Sequence, residues 1–265
     1  MTIKVLISGS GSMGREVLAA AWREDDLEPV AVVDLLATDD EIDLPNGSGT
    51  IPLGTDIAAA LAESRPDVIV DFTNADWAPT LIDASLEAGV RLVIGTSGLP
   101  DALVEDLGER CARLKIGAVL ASNFALGAVL MQHMAKTAAR FYDNAEIIEQ
   151  HHDGKVDAPS GTSLATAKLM SEARGKPFVR PEPERLNAPG TRGGEIDGVT
   201  IHSVRLPGLV AHQQVIFGSP GETLEIRHNS IDRISFMPGV LLAVRRVMEL
   251  DRLVIGLDQL IGLAD

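Results

Sequence analysis

Ile3-Lys4-Val5-Leu6-Ile7-Ser8-Gly9-Ser10-Gly11-Ser12-Met13-Gly14-Arg15 carries the chain from an apolar run straight into a glycine-rich turn. Residues 3–8 read as a buried strand and Arg15 to Trp22 as a helix, with Gly-x-Gly-x-x-Gly between them. The first glycine permits the tight turn, the second lets a pyrophosphate approach the backbone, and the third lets the helix pack closely on the strand. A second apolar strand, Val30 to Val33, ends in Asp34, 20 positions after Gly14, where an acid can bind the diol of an adenosine ribose. This pattern predicts a dinucleotide site made by Gly9, Ser10, Gly11, Ser12, Met13, Gly14, Arg15 and Asp34. Asp34 favours NADH, because a 2′-phosphate would meet its negative charge. Arg15 can still pair with that phosphate, so NADPH is tolerated.

Downstream the pattern alternates: helix 56–63, strand 68–71, helix 77–88, strand 92–94, helix 101–113 and strand 117–121. Such alternation predicts a parallel sheet with right-handed crossovers, an α/β Rossmann-type domain. The acidic stretch 35–56, with Pro45-Asn46-Gly47, is expected to be a solvated loop. Ligands of open α/β sheets sit beyond the carboxyl ends of strands. That is where Phe72, Gly95-Thr96-Ser97 and Ala121-Ser122-Asn123-Phe124 fall. After a helix over 125–140 the chain turns to strand-like runs at 145–151, 199–205, 209–217 and 224–228, which predict a second α+β domain with a mixed or antiparallel sheet. The apolar, helical tail from Arg233 is too small to stand alone and is expected to return to the first domain. The expected division is 1–122 with 233–265, and 123–232.

The second domain opens with Glu146-Ile-Ile-Glu-Gln-His151-His152-Asp-Gly-Lys155-Val-Asp157-Ala-Pro-Ser160-Gly161-Thr162-Ser163. An apolar strand delivers two histidines, a lysine and an aspartate, and a turn then leads into a helix. Free N–H groups and the positive dipole end at a helix start suit a carboxylate or phosphate, here at Ser160, Gly161 and Thr162. Cationic and acid/base side chains beside an anion cradle point to an active site for a small acidic molecule. No third ligand stands at a recognised metal-binding spacing, and no metal is expected.

This segment resembles the signature of the dihydrodipicolinate reductase (4-hydroxy-tetrahydrodipicolinate reductase) family. His202-Ser203-Val204-Arg205, Ile226-Arg227-His228 and Arg233-Ile234-Ser235-Phe236 agree with it, so the resemblance covers essentially the whole chain. The chain departs at Val210-Ala211, where the family often has Gly-Glu, and at Phe236-Met237-Pro238-Gly239; neither removes a proposed catalytic group. Some members carry a basic residue for NADPH where this chain has Leu35. The resemblance implies NAD(P)H-dependent reduction of a cyclic, conjugated imine with two carboxylates, in diaminopimelate and lysine biosynthesis. It implies His151 and Lys155 as acid/base groups, and His152, Ser160, Gly161 and Thr162 as substrate contacts. It also implies that the strand-end loops Phe72, Gly95, Thr96, Ser97 and Ala121 to Phe124 run along the nicotinamide, and that the second sheet joins four subunits.

The remaining features bound these readings. A chain of 265 residues with 45% hydrophobic content can bury a core for one or two domains. No apolar run reaches the roughly 18 residues of a membrane span. The opening residues enter a strand directly, leaving no room for a signal peptide, and the lone Cys111 fits a reducing cytoplasm. A net charge of −15 argues against nucleic acid. It does not argue against an acidic substrate, because screening over roughly 10 Å leaves the local charges of a cleft in control. A related dehydrogenase would not need the His-His-x-x-Lys cluster, and a nucleotide sensor would tolerate its loss. A hydrolase using Ser160 would need acid and base partners that have no visible candidates.

Overall fold

The structure, a computed structural model, describes residues 2–263. Its elements in order are β1 (Ile3–Ser8), α1 (Ser12–Trp22), β2 (Leu27–Val33), β3 (Glu41–Asp43), β4 (Thr50–Gly54), α2 (Ile57–Ser64), β5 (Val68–Asp71), α3 (Ala78–Glu87), β6 (Arg91–Ile94), α4 (Asp101–Leu114) and β7 (Ala118–Leu120). There follow α5 (Leu126–Ala138), β8 (Asn144–His151), α6 (Gly161–Arg174), β9 (Gly194–Ile196), β10 (Val199–Arg205), β11 (Ala211–Ser219) and β12 (Glu222–Ser230). The chain closes with α7 (Met237–Val247), β13 (Leu253–Ile255) and α8 (Leu257–Leu260). Two compact units result, one running through Leu126 and resuming at Phe236, the other Gly127–Ser235.

The first unit is built on an eight-stranded sheet in the order β13-β7-β6-β5-β1-β2-β4-β3, parallel except where β3 meets β4. A parallel sheet covered by helices must be apolar on both faces. Val5, Leu6 and Ile7 are accordingly buried in succession, as are Val68, Ile69 and Val70. Leu6, Ile69, Leu92 and Ile94 pack with Leu81 and Ile82 of α3 and with Leu107 and Cys111 of α4. The chain builds outward from β1 through β2 and β4, then restarts on the other side of β1 with β5. The loops after β1 and β5 therefore flank the point where the winding reverses, the ligand crevice of doubly wound sheets.

Two expectations need correction. The stretch 35–56 is not all loop: Ile42, Leu44 and Ile51 turn inward and convert it into β3 and β4, which extend the sheet. The tail is not all helix either, since β13 pairs with β7 at the opposite edge. The breaks between units fall at 126/127 and 235/236. Asn123 Oδ1 accepts the Ala125 N–H at 2.9 Å, and the Phe124 ring meets Phe72 edge-on at 5.5 Å, which keeps residues 123–125 with the first unit.

The second unit carries a five-stranded mixed sheet, β12-β11-β8-β10-β9, in which β8 and β10 run parallel and the other pairs antiparallel. Alternation along β8 buries Ala145, Ile147 and Glu149. Ala145 and Ile147 form a core with Val215 and Phe217 of β11, Ile201 of β10, Ala135 of α5, and Ala167 and Met170 of α6. Glu149 is the exception in that row, a carboxylate with no exposed surface, placed where the inward face turns from apolar to polar beside Gln213 of β11 and Ser203 of β10.

Candidate active site

The glycine turn meets the steric demands read from its sequence. A Cβ at Gly14 would lie 1.8 Å from the Gly9 carbonyl oxygen, so only glycine lets α1 start this close to β1. Gly9 has φ +103°, a backbone conformation that side chains rarely adopt. A Cβ at Gly11 would meet nothing within 4 Å, which leaves open space over the backbone where a pyrophosphate fits. Ser12 is the first residue of α1 and Met13 is half-buried behind it. Asp34 Oδ2 accepts both the N–H and the hydroxyl of Ser10 at 2.7 Å, and Oδ1 accepts the Leu36 N–H at 2.9 Å. Burial alone would raise this carboxyl group's pKa, but the Ser10 and Leu36 donors outweigh it and hold the group below the usual range. An anionic, anchored carboxylate at the end of β2 fits a ribose diol. Arg15 is exposed, and its Nε donates to the Ser10 carbonyl at 3.0 Å.

At the neighbouring strand ends the expected residues divide by role. Phe72, Gly95 and Phe124 are packed together: a Cβ at Gly95 would lie 2.1 Å from the Phe72 ring. Ser97 and Ser122 are exposed and Ala121 is buried. Thr96 is 4% exposed, and its hydroxyl donates to Asp71 Oδ2 at 2.5 Å and accepts the Thr73 N–H at 2.9 Å. That side chain braces the loop against the end of β5. Its partner Asp71 is fully buried, and burial pushes its pKa up despite the Thr96, Thr73 and Ser8 hydroxyl groups.

In the second unit, β8 ends at His151, and the turn before α6 holds the remaining candidates. His151 Nδ1 lies 2.5 Å from Glu149 Oε2. Burial lowers the His151 pKa; Glu149 opposes that, and the charges of Lys155 and Arg205 add to it. Lys155 Nζ pairs with Asp157 at 2.6 Å, while His152 is exposed. Ser160 caps α6: its Oγ accepts the Ser163 N–H at 3.2 Å and lies 2.8 Å from Ser163 Oγ. Ser163 Oγ in turn donates to Gln213 Oε1. Ser160 is 3% exposed, and its hydroxyl group holds the helix start. Gly161 offers open space where a Cβ would stand. Thr162 is the half-buried second residue of the helix.

Sequence reasoning missed two residues. Glu149 accepts both Nη groups of Arg205 at 2.7 and 2.9 Å, and Arg205 Nη2 also donates to the Asp157 carbonyl at 2.7 Å. Burial would raise the Glu149 pKa, but the Arg205 fork, with Ser203 and His151, holds it below the ordinary carboxylate range. A glutamate at an inward position of an apolar strand was the signal that could have found this pair. Among the described residues, no group of three or more His, Cys, Asp or Glu side chains is gathered to hold a metal ion.

The family model described as "Dihydrodipicolinate reductase, N-terminus" matches residues 3–124, and the one described as "Dihydrodipicolinate reductase, C-terminus" matches residues 127–261. A 4-hydroxy-tetrahydrodipicolinate reductase of Dehalococcoides mccartyi is 47% identical over 262 residues, 98% of this chain and 99% of its own. The enzyme of that description from Shouchella clausii is 46% identical over 265 residues, 98% of this chain and all of its own. Among solved structures, a dipicolinate-bound dihydrodipicolinate reductase from Paenisporosarcina sp. TG-14 is similar with a TM-score of 0.87 and 38% identity, covering 98% of this chain and 99% of that one. An amine dehydrogenase from Mycobacterium smegmatis, 14% identical with a TM-score of 0.63 over 94% of this chain and 93% of its own, shares the fold alone. With both halves matched in order and relatives aligned from end to end, the chain belongs to the dihydrodipicolinate reductase family.

Proposed function

We propose that this oxidoreductase reduces 4-hydroxy-tetrahydrodipicolinate to tetrahydrodipicolinate with a pyridine nucleotide, in diaminopimelate and lysine biosynthesis. The observation that carries the proposal for the site is the grouping of His151, Lys155 and Asp157 between a strand end and the capped start of α6. When bound, the nucleotide supplies the hydride. Hydride addition to a conjugated imine builds negative charge on the ring, so a positioned proton donor lowers the barrier, typically by about 10²- to 10⁴-fold. His151 and Lys155 hold that proton, and Asp157 orients Lys155. His152 contacts the ring or a carboxylate. The other carboxylate rests on the Gly161 and Thr162 N–H groups and the Thr162 hydroxyl, favoured by the dipole of α6. Ser160 supports this cradle from below.

Gly9 to Arg15 and Asp34 bind the adenosine and pyrophosphate half of the nucleotide, and the loops from Phe72, Gly95 to Ser97 and Ala121 to Phe124 line the nicotinamide half. We assign NADH as the preferred cofactor on the charge of Asp34, with NADPH accepted. The second unit is the substrate domain. The half of its sheet surface that carries Glu146, Ile148 and Gln150, away from α5 and α6, is assigned to joining four subunits. A cytoplasmic setting fits the buried free thiol of Cys111. The test is NADH and NADPH oxidation followed by absorbance, with the substrate supplied by a coupled synthase. Turnover with both, and a higher kcat/KM with NADH, is expected. Nucleotide binding without turnover would move the search to other cyclic imine acids.

A further inference from the structure

We infer that Glu149 and Arg205 are a positioning pair: Glu149 sets the orientation and tautomer of His151, and Arg205 fixes Glu149 together with the Lys155 turn. The inference rests on the site proposed above. It starts from β8, where the inward row Ala145, Ile147 continues into a fully buried carboxylate that has only the uncharged Gln213 and Ser203 opposite it on the flanking strands and so depends on Arg205 for its counter-charge. Burying an ionised group in a sheet face is costly unless it is paired, and an apolar residue of similar size commonly serves stability as well or better. Stability alone therefore gives a weak reason for Glu149 to stand there.

The geometry supplies a stronger one. Register places Arg205 of β10 beside His151 of β8 and Ser203 beside Glu149, so the guanidinium fork reaches the carboxylate with both Nη atoms. A carboxylate gripped in this way stays ionised and can only accept hydrogen bonds. The short contact to His151 Nδ1 then requires the hydrogen to sit on Nδ1, which leaves Nε2 as the atom that takes and gives a proton. The same guanidinium donates to the carbonyl of Asp157, whose side chain holds Lys155 at 2.6 Å. One ion pair, a buried carboxylate under a half-buried guanidinium, thus ties together the two acid/base groups, which lie four positions apart in sequence on different local structures. The charged groups facing His151 are Glu149 on its own strand, Arg205 from β10 and Lys155 from the turn; β11 sets the uncharged Ala211 opposite it.

The test compares Glu149→Gln, the double variant Glu149→Leu/Arg205→Met, and His151→Gln. Glu149→Gln keeps the shape and removes the charge that favours protonated His151. The expected result is a kcat lower by roughly 10- to 100-fold, part of what a positioned acid contributes. The alkaline limb of the pH–rate profile should move to lower pH, while nucleotide Kd stays within about twofold. Nitrogen NMR of labelled histidine should report loss of the Nδ1–H tautomer at the signal that disappears in His151→Gln. The double variant removes the buried carboxylate together with its counter-charge, so it is expected to fold about as stably as the parent and still to turn over slowly. An active double variant, or Glu149→Gln with the parent's kcat and pH profile, would overturn the inference. Full activity in His151→Gln would instead overturn the site assignment beneath it.

Discussion

Lys155 is the residue on which binding and chemistry separate most cleanly. Its ammonium group is held by Asp157 in the second unit, and the glycine turn that would hold the nucleotide belongs to the first. Lys155→Ala is expected to lower kcat by roughly 10²- to 10⁴-fold and leave the Kd of the nucleotide unchanged. Steady-state kinetics beside fluorescence titration with NADH would check this, and equal losses in both would remove Lys155 from the mechanism. At this scale the sequence was legible wherever the physical demand is local. Gly14 is required by the carbonyl of Gly9, five positions away, and both stand in one motif. Glu149 and Arg205 are 56 positions apart and meet only through the parallel register of β8 and β10, which no local pattern encodes.

Among the elements, α6 depends most on its first residue. The Ser160 Oγ satisfies the Ser163 N–H and connects through Ser163 to Gln213 and Thr166, a buried polar chain between helix and sheet. Ser160→Ala is expected to cost about 1 kcal/mol, the usual worth of such a cap. A lower midpoint in urea denaturation at an unchanged m-value would report it. The strongly patterned elements were readable in advance, because α4, α5 and β10 carry enough apolar residues in one period and β5 is a continuous apolar run. The three-residue edge strands β3, β9 and β13 were not, although the equally short but central β7 was. Each has one or two inward side chains, and only the neighbouring strand makes that a pattern. Ser160 is instructive in another way, since a cap and a ligand contact have the same sequence signature.

For the whole molecule, the thiol of Cys111 records folding. It lies fully buried on the inner face of α4, in one core with Leu107, Leu81 and Ile82, and burial pushes its pKa up to about 11. A folded pKa raised above the unfolded value means that this contribution to stability is complete below the ordinary value of 9.0 and is lost as pH climbs through about 11. Stability measured across that window is expected to fall, with a shallower slope in Cys111→Ala. Disulfide reagents should label the parent protein only as fast as it unfolds. Labelling of native protein at neutral pH would refute the buried environment.

The small acidic strand β3 has a consequence for behaviour at high concentration. The outermost strand of a sheet is a template on which another chain can continue the ladder. Here the template is three residues long and carries Glu41 and Asp43 on either side of the single inward Ile42. A foreign strand that docked there would place its own groups against two like charges, on a molecule of net charge −15. The hairpin that looked like mere solvated loop thus guards one border of the longest sheet by charge, a protection that the apolar β13 at the other border does not have.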